Sequence, residues 1–127
     1  MTWERAPVAA ALAAVLQPLD GSVSVFAAPP ETFNPPAFIV GYPRTVNYRM
    51  HFSTDEALMP VACACGVAEV DRVDGLLRTA YDALANTDQT LGGLVQVMDL
   101  GPQDNWRLLR VAGIDVIAAD LVLRFLM

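Results

Sequence analysis

The side chains able to do chemistry in this chain are few. His51 is the one histidine, and Cys63 and Cys65 are the two cysteines. Asp55/Glu56 and Asp71/Asp74 are among the carboxylate pairs, and lysine is absent altogether. Without lysine there is no Schiff-base or phosphate-lysine chemistry. An acid-base role for His51 needs a partner of matched geometry, and the nearby acids Asp55 and Glu56 are expected in a turn. Cys63-x-Cys65 with His51 lacks the fourth ligand of an ordinary zinc site. The two thiols share one face of an apolar strand, where a local disulfide would be strained, so both are expected buried and reduced. Paired acids suggest a glycosidase or a divalent-ion site. Asp71 and Asp74, however, stand near a helix N-terminus opposite an apolar stripe, where the macrodipole favours negative charge and the face is solvated. No nucleophile elbow, phosphate loop, dinucleotide fingerprint or zinc-protease motif occurs. The residues therefore call for no cofactor and no metal. Tyr48-Arg49 and Trp106-Arg107 are the types enriched at interface hot spots.

The elements that hold these residues follow from periodicity. Glu4 to Leu16 or Gln17 reads as a first helix, ended by Pro18 and Asp20-Gly21, with Val8, Leu12, Val15, Leu16 and Leu19 on a one-sided stripe. The stripe, Pro7 and the offset of Arg5 by Glu4 favour this helix over a signal peptide. Ser22–Phe26 alternates as a short strand, and a stretch with four prolines runs from Ala27 to Pro36. Ala37–Val40 is a short strand. Thr45–Phe52 alternates cleanly, Ser53–Glu56 reads as a turn, and Leu58–Val67 returns as an apolar strand. Val70–Ala85 is an amphipathic helix with Val70, Val73, Leu77, Ala80 and Leu84 on one stripe. The last third reads as three strands, Leu94–Leu100, Trp106–Ala112 and Ile114–Met127, with turns at Gly101-Pro102, Asp104-Asn105 and Gly113. The final run is long enough to expect a bulge near Ala118-Ala119. Short connections favour antiparallel pairing. The expected fold is α+β: a mostly antiparallel β-sheet with two α-helices packed on it and an extended β-hairpin.

A chain of 127 residues fits one domain spanning 1–127. Its hydrophobic fraction of 54% against 17% charged residues leaves apolar surface beyond one core, which points to a subunit interface. The net charge of −6, with eight scattered arginines as the only cations, argues against an electrostatic footprint for nucleic acid. An acidic surface suits a passage that DNA slides through rather than a place where it binds. No apolar run is long enough to span a bilayer as a helix, so no membrane partner is expected.

The order of segments resembles the tail terminator (tail completion, head-tail joining) family of long-tailed bacteriophages. The likeness lies in the N-terminal helix, then SVSVF and PPETFNPPAFIVGYP, an extended hairpin, VDRVDGLLRTAYDALANTDQTLGGLVQV, and a closing strand AGIDVIAADLVLRFLM. It covers residues 5 to 127 and rests on layout rather than on a diagnostic motif. The resemblance implies a non-catalytic virion protein assembled in the host cytoplasm. It would form a homohexameric ring at the neck, cap the tail-tube protein, and face the head-tail connector, with DNA only as passing cargo. Head-closure and adaptor proteins of the same neck share this layout. Under this expectation the Thr45–Val67 hairpin reaches a neighbour, and Tyr48, Phe52, Asp55, Glu56 and Trp106 are the interface candidates. A rival is a small dimeric ligand-binding module with a pocket lined by Leu77, Tyr81 and Leu123. An enzyme using the Asp71/Asp74 pair is a third.

Overall fold

The structure is a computed structural model that describes residues 4–49 and 54–126. Helix α1 spans Arg5–Leu16 and helix α2 spans Val70–Ala85. The strands are β1 Ser24–Phe26, β2 Ala37–Val40, β3 Thr45–Arg49, β4 Thr54–Gly66, β5 Val97–Val111 and β6 Ile114–Leu126. They form one open sheet in the order β1-β2-β4-β6-β5, with β3 also paired to β4. All pairings are antiparallel except β1–β2, which is parallel. The proline-rich connection, 27–36, makes that parallel pair possible, because parallel strands need a crossover longer than a hairpin turn. The α+β architecture expected from the sequence is the one observed.

Both helices cover one face of the sheet. Val8, Leu12 and Leu16 of α1 and Val73, Leu77, Ala80 and Leu84 of α2 share a core with Ala57, Met59, Val61, Cys63 and Cys65 of β4. Ala119, Leu121, Leu123 and Phe125 of β6 complete it. The alternation read in the last strand thus selects the buried face of β6, while β4, an almost continuous apolar run, also buries Ala62 and Ala64 of its other face. Leu76 joins the buried stripe of α2, and Val70 at its first turn is exposed. After α2, the Gln89 side-chain amide donates to the Leu84 carbonyl at 2.8 Å. Asp88 accepts the backbone N–H groups of Thr90 and Gly92 at 2.9 and 3.0 Å. These bonds satisfy a helix-end carbonyl and close the turn into β5.

Three expectations are corrected. Asp55 and Glu56 lie inside β4, which begins at Thr54, not in a turn. Leu94–Leu100 and Trp106–Ala112 are not two strands joined by a turn. From Val97 they belong to the single fifteen-residue strand β5. The expected bulge in the last strand falls instead on its partner. Between Leu100/Gln103 and between Asp104/Arg107, β5 advances three residues while β6 advances two. Each irregularity absorbs one extra residue, so Gly101-Pro102 and Asp104-Asn105 bend a continuous ladder rather than end it. Asn105 takes φ 57°, a region that asparagine tolerates better than most residues. β6 stays regular because it lies between β4 and β5 and pairs with β4 from Glu56↔Leu126 to Gly66↔Val116.

The β5–β6 hairpin turns at Ala112-Gly113, both with positive φ (51° and 80°), and Val111 pairs with Ile114. This is the twist-matched two-residue connection. Pro60 sits in the middle of β4, where a missing N–H would normally break a ladder. Its carbonyl accepts from Gly41 N–H at 2.8 Å, so its absent donor faces the irregular 41–44 segment between β2 and β3. A Cβ on Gly41 would come within 2.8 Å of Pro60 Cγ, so the close approach requires glycine there.

Candidate functional site

Both helices lie on one face of the sheet, and the other face carries charge networks. Asp120 on β6 is 3% exposed. Its carboxylate accepts from Arg44 Nη2 at 2.7 Å, Arg107 Nη1 at 3.0 Å and Asn105 Nδ2 at 3.1 Å. Arg44 also reaches Asp104 at 3.2 Å. Asp104, and then Asp120, hold the Arg44 guanidinium more firmly protonated than usual. The second bulge of β5 brings Asp104, Asn105 and Arg107 to this point, and Arg44 arrives from the start of β3. A second network lies towards the far end of β6. Arg124 donates Nε and Nη2 to Glu56 Oε2 at 2.9 and 2.7 Å, and Nη1 to Asp99 at 3.2 Å. Each network ties strands together across the sheet. Neither presents a nucleophile or a paired acid and base to a cleft.

The interface candidates divide. Tyr48 is 64% exposed on β3, and Trp106 is 43% exposed at the second bulge of β5. Asp55 is buried, and Glu56 is held by Arg124. Neither acid is a free charge on the surface. Phe52 and His51 lie outside the described residues. Asp74 pairs with Arg78 at 3.0 Å, the ordinary helix i,i+4 arrangement. Cys63 and Cys65 are free and buried, and burial pushes the Cys63 thiol well above its usual range. Among the described residues, no three His, Cys, Asp or Glu side chains gather as metal ligands would.

Apolar surface collects at the edges of the sheet. Leu108, Leu109 and Ile114 near the β5–β6 turn are exposed, with Val67 and Val70 at the start of α2. Val67, Leu108 and Leu109 line one shallow depression there with Arg110 and Asp115. A groove of about 420 Å³ lies between α2 and β5, with Tyr81 and Pro102 among its walls, Leu121 beneath, and Arg78, Asp82 and Gln103 also lining it. Gly101 lines the same groove, and a Cβ there would meet the Val122 carbonyl at 2.8 Å. The pocket expected between Leu77, Tyr81 and Leu123 is not this one. Leu77 and Leu123 are fully buried, and only Tyr81 faces the groove.

The sequence reading missed the Asp120 network and the exposed leucines. Asp120 was visible as an acid set between apolar residues in the middle of a strand, which is a recognisable sign of a buried ion pair. Its partners were not visible, because two bulges set the register that delivers them. Compared with protein-family models and with curated proteins, the chain matches none.

Proposed function

We propose that this chain is a structural subunit that assembles head to tail into a ring, in the manner of a phage tail terminator that caps a tail tube and joins it to the head connector. The observation that carries this reading is the placing of large exposed apolar side chains on opposite sides of one sheet. Trp106, Leu108, Leu109 and Ile114 lie on β5 and its turn, while Tyr42 and Tyr48 lie beside and on β3. A surface of this kind calls for cover, and two different sticky edges on one subunit suit a heterologous contact that closes on rotation. β5 is an edge strand whose second half exposes Leu108 and Leu109 between Arg107 and Arg110. The segment order supports the same reading, and so does the net charge of −6, which suits a passage for DNA.

The test is a tail-tube polymerisation reaction viewed by electron microscopy. Tube subunits with this chain present are expected to stop at a defined end bearing one extra ring. Tubes that grow to the same lengths with and without it, and carry no terminal density, would refute the reading.

A further inference from the structure

Cys63 and Cys65 lie outside the charge networks, the sheet edges and the groove, and they are the only cysteines of the chain. Both are free and fully buried, in the core that β4 shares with the two helices. The backbone that carries them is held from both sides. Cys63 is opposite Phe38 of β2 and Ala119 of β6, and Ala64 is opposite Ala37 and Ala118. Cys65 is opposite Ile117 of β6. These ladders keep the segment extended, with both thiols on the core face. In an extended strand the Cβ atoms of residues i and i+2 stand about 6.6 Å apart. A disulfide needs its two Cβ atoms about 3.8 Å apart. Closing that gap means buckling the strand at Ala64, which is 1% exposed and paired on both sides. The ladders to β2 and to β6 would both break there.

We propose that Cys63-Ala64-Cys65 is a redox gate on folding: the native sheet and a Cys63–Cys65 disulfide exclude each other, so the chain folds only with both thiols reduced and, once folded, shields them from oxidation. In the unfolded chain no ladder holds the segment straight, and a single residue separates the two thiols. A two-electron oxidant of the diazene class takes up both thiol hydrogens and becomes the hydrazine, while the two sulfurs join. The resulting small ring cannot enter β4. In the folded chain an oxidant must first reach the sulfurs, and attack needs a thiolate. Burial, and then the neighbouring Cys65, pushes the Cys63 thiol well above its usual range, and burial raises Cys65 as well. The gate works within one chain and needs no second copy.

The test uses the full chain and diamide, a diazene. The chain is oxidised in urea at low concentration, and the monomer lighter by two hydrogens is isolated in urea. The urea is then diluted, and unfolding is followed by far-ultraviolet circular dichroism. The oxidised chain is expected to show no cooperative transition, or one at a lower urea midpoint than the reduced chain, and dithiothreitol is expected to restore the reduced midpoint. Diamide added to the folded chain is expected to form the disulfide at least about a hundredfold more slowly than in urea, because the core must open first. A Cys65→Ala chain cannot close the bond, so its own midpoint should be the same before and after treatment. An oxidised chain that unfolds at the reduced chain's midpoint would overturn the gate, as would oxidation of the folded chain at the unfolded rate. Loss of folding that dithiothreitol does not reverse, or that Cys65→Ala shows equally, would overturn it too, since the damage would then not come from the paired bond.

Discussion

At the scale of single residues, the most demanding group is Asp120. A carboxylate removed from water is tolerated only when its oxygens are bonded, and here two arginines and an asparagine do this. Asp120→Ala leaves Arg44 and Arg107 facing each other with no shared acid. Breaking a fully buried pair costs roughly 3–5 kcal/mol. The two guanidinium groups keep 36% and 31% of their side-chain surface in water and can rehydrate in part. The expected loss is therefore lower, about 2–3 kcal/mol, read as a fall in the urea midpoint with an unchanged slope. Asp120→Asn retains one acceptor and should lose less. If Asp120→Ala unfolds at the same urea concentration as the parent, the network contributes nothing to stability. Arg5 acts similarly at the other edge, donating one nitrogen to the carbonyls of Ala27, Val40 and Gly41 at 2.8–3.1 Å while its guanidinium lies over the Tyr42 ring. It fastens α1 to the end of β2 and to the start of the proline loop.

At the scale of elements, periodicity made the helices and most strands legible. Val70–Ala85 was readable to the residue because a clear stripe ends at Asn86-Thr87-Asp88, where turn chemistry begins. The inward face of β6 was readable because its alternation leaves no choice of side, whereas β4, apolar almost throughout, declared none. What was hidden depended on partners. Gly101-Pro102 and Asp104-Asn105 have the composition of turns, yet the regular ladder of β6 beside them holds the chain in register and turns both sites into bulges. Asp55 and Glu56 also have turn composition, yet β4 extends through them because β3 and β6 pair on either side. Of the candidate interface residues, Tyr48 and Trp106 were readable by type, while the exposed leucines of β5 look in sequence like core. The kink between β2 and β3 gives a prediction at this scale. Gly41→Ala forces a methyl group against the Pro60 ring at 2.8 Å and its carbonyl at 3.2 Å, which a rigid ring cannot relieve by rotating. Overpacking of this kind costs about 1–3 kcal/mol, and chemical denaturation should show that loss. A change within about 0.5 kcal/mol would mean the 41–44 segment moves freely enough to need no glycine.

At the scale of the whole molecule, one layer of helices on one sheet buries a single core and, among the described residues, leaves two edges and one face with no layer upon them. The charge networks set Glu56, Asp120 and Arg124 among the apolar residues of the uncovered face, and the large exposed apolar side chains lie on β5 and its turn, beside and on β3, and along α2 and its start. This distribution is what the proposed assembly role calls for, since apolar exposures on an isolated domain are usually scattered singly. The same distribution explains why the sequence is richer in apolar residues than one core of this size requires. A ring built through these edges would stand edge to edge, and the acidic excess of each copy would add around the lumen.

The measurement that bears most directly on this account is the mass of the purified chain, alone and with tail-tube subunits, by light scattering or mass photometry. A hexamer is expected, either from the chain alone or on addition of tube protein. A monomer or a stable dimer indifferent to tube protein would contradict it.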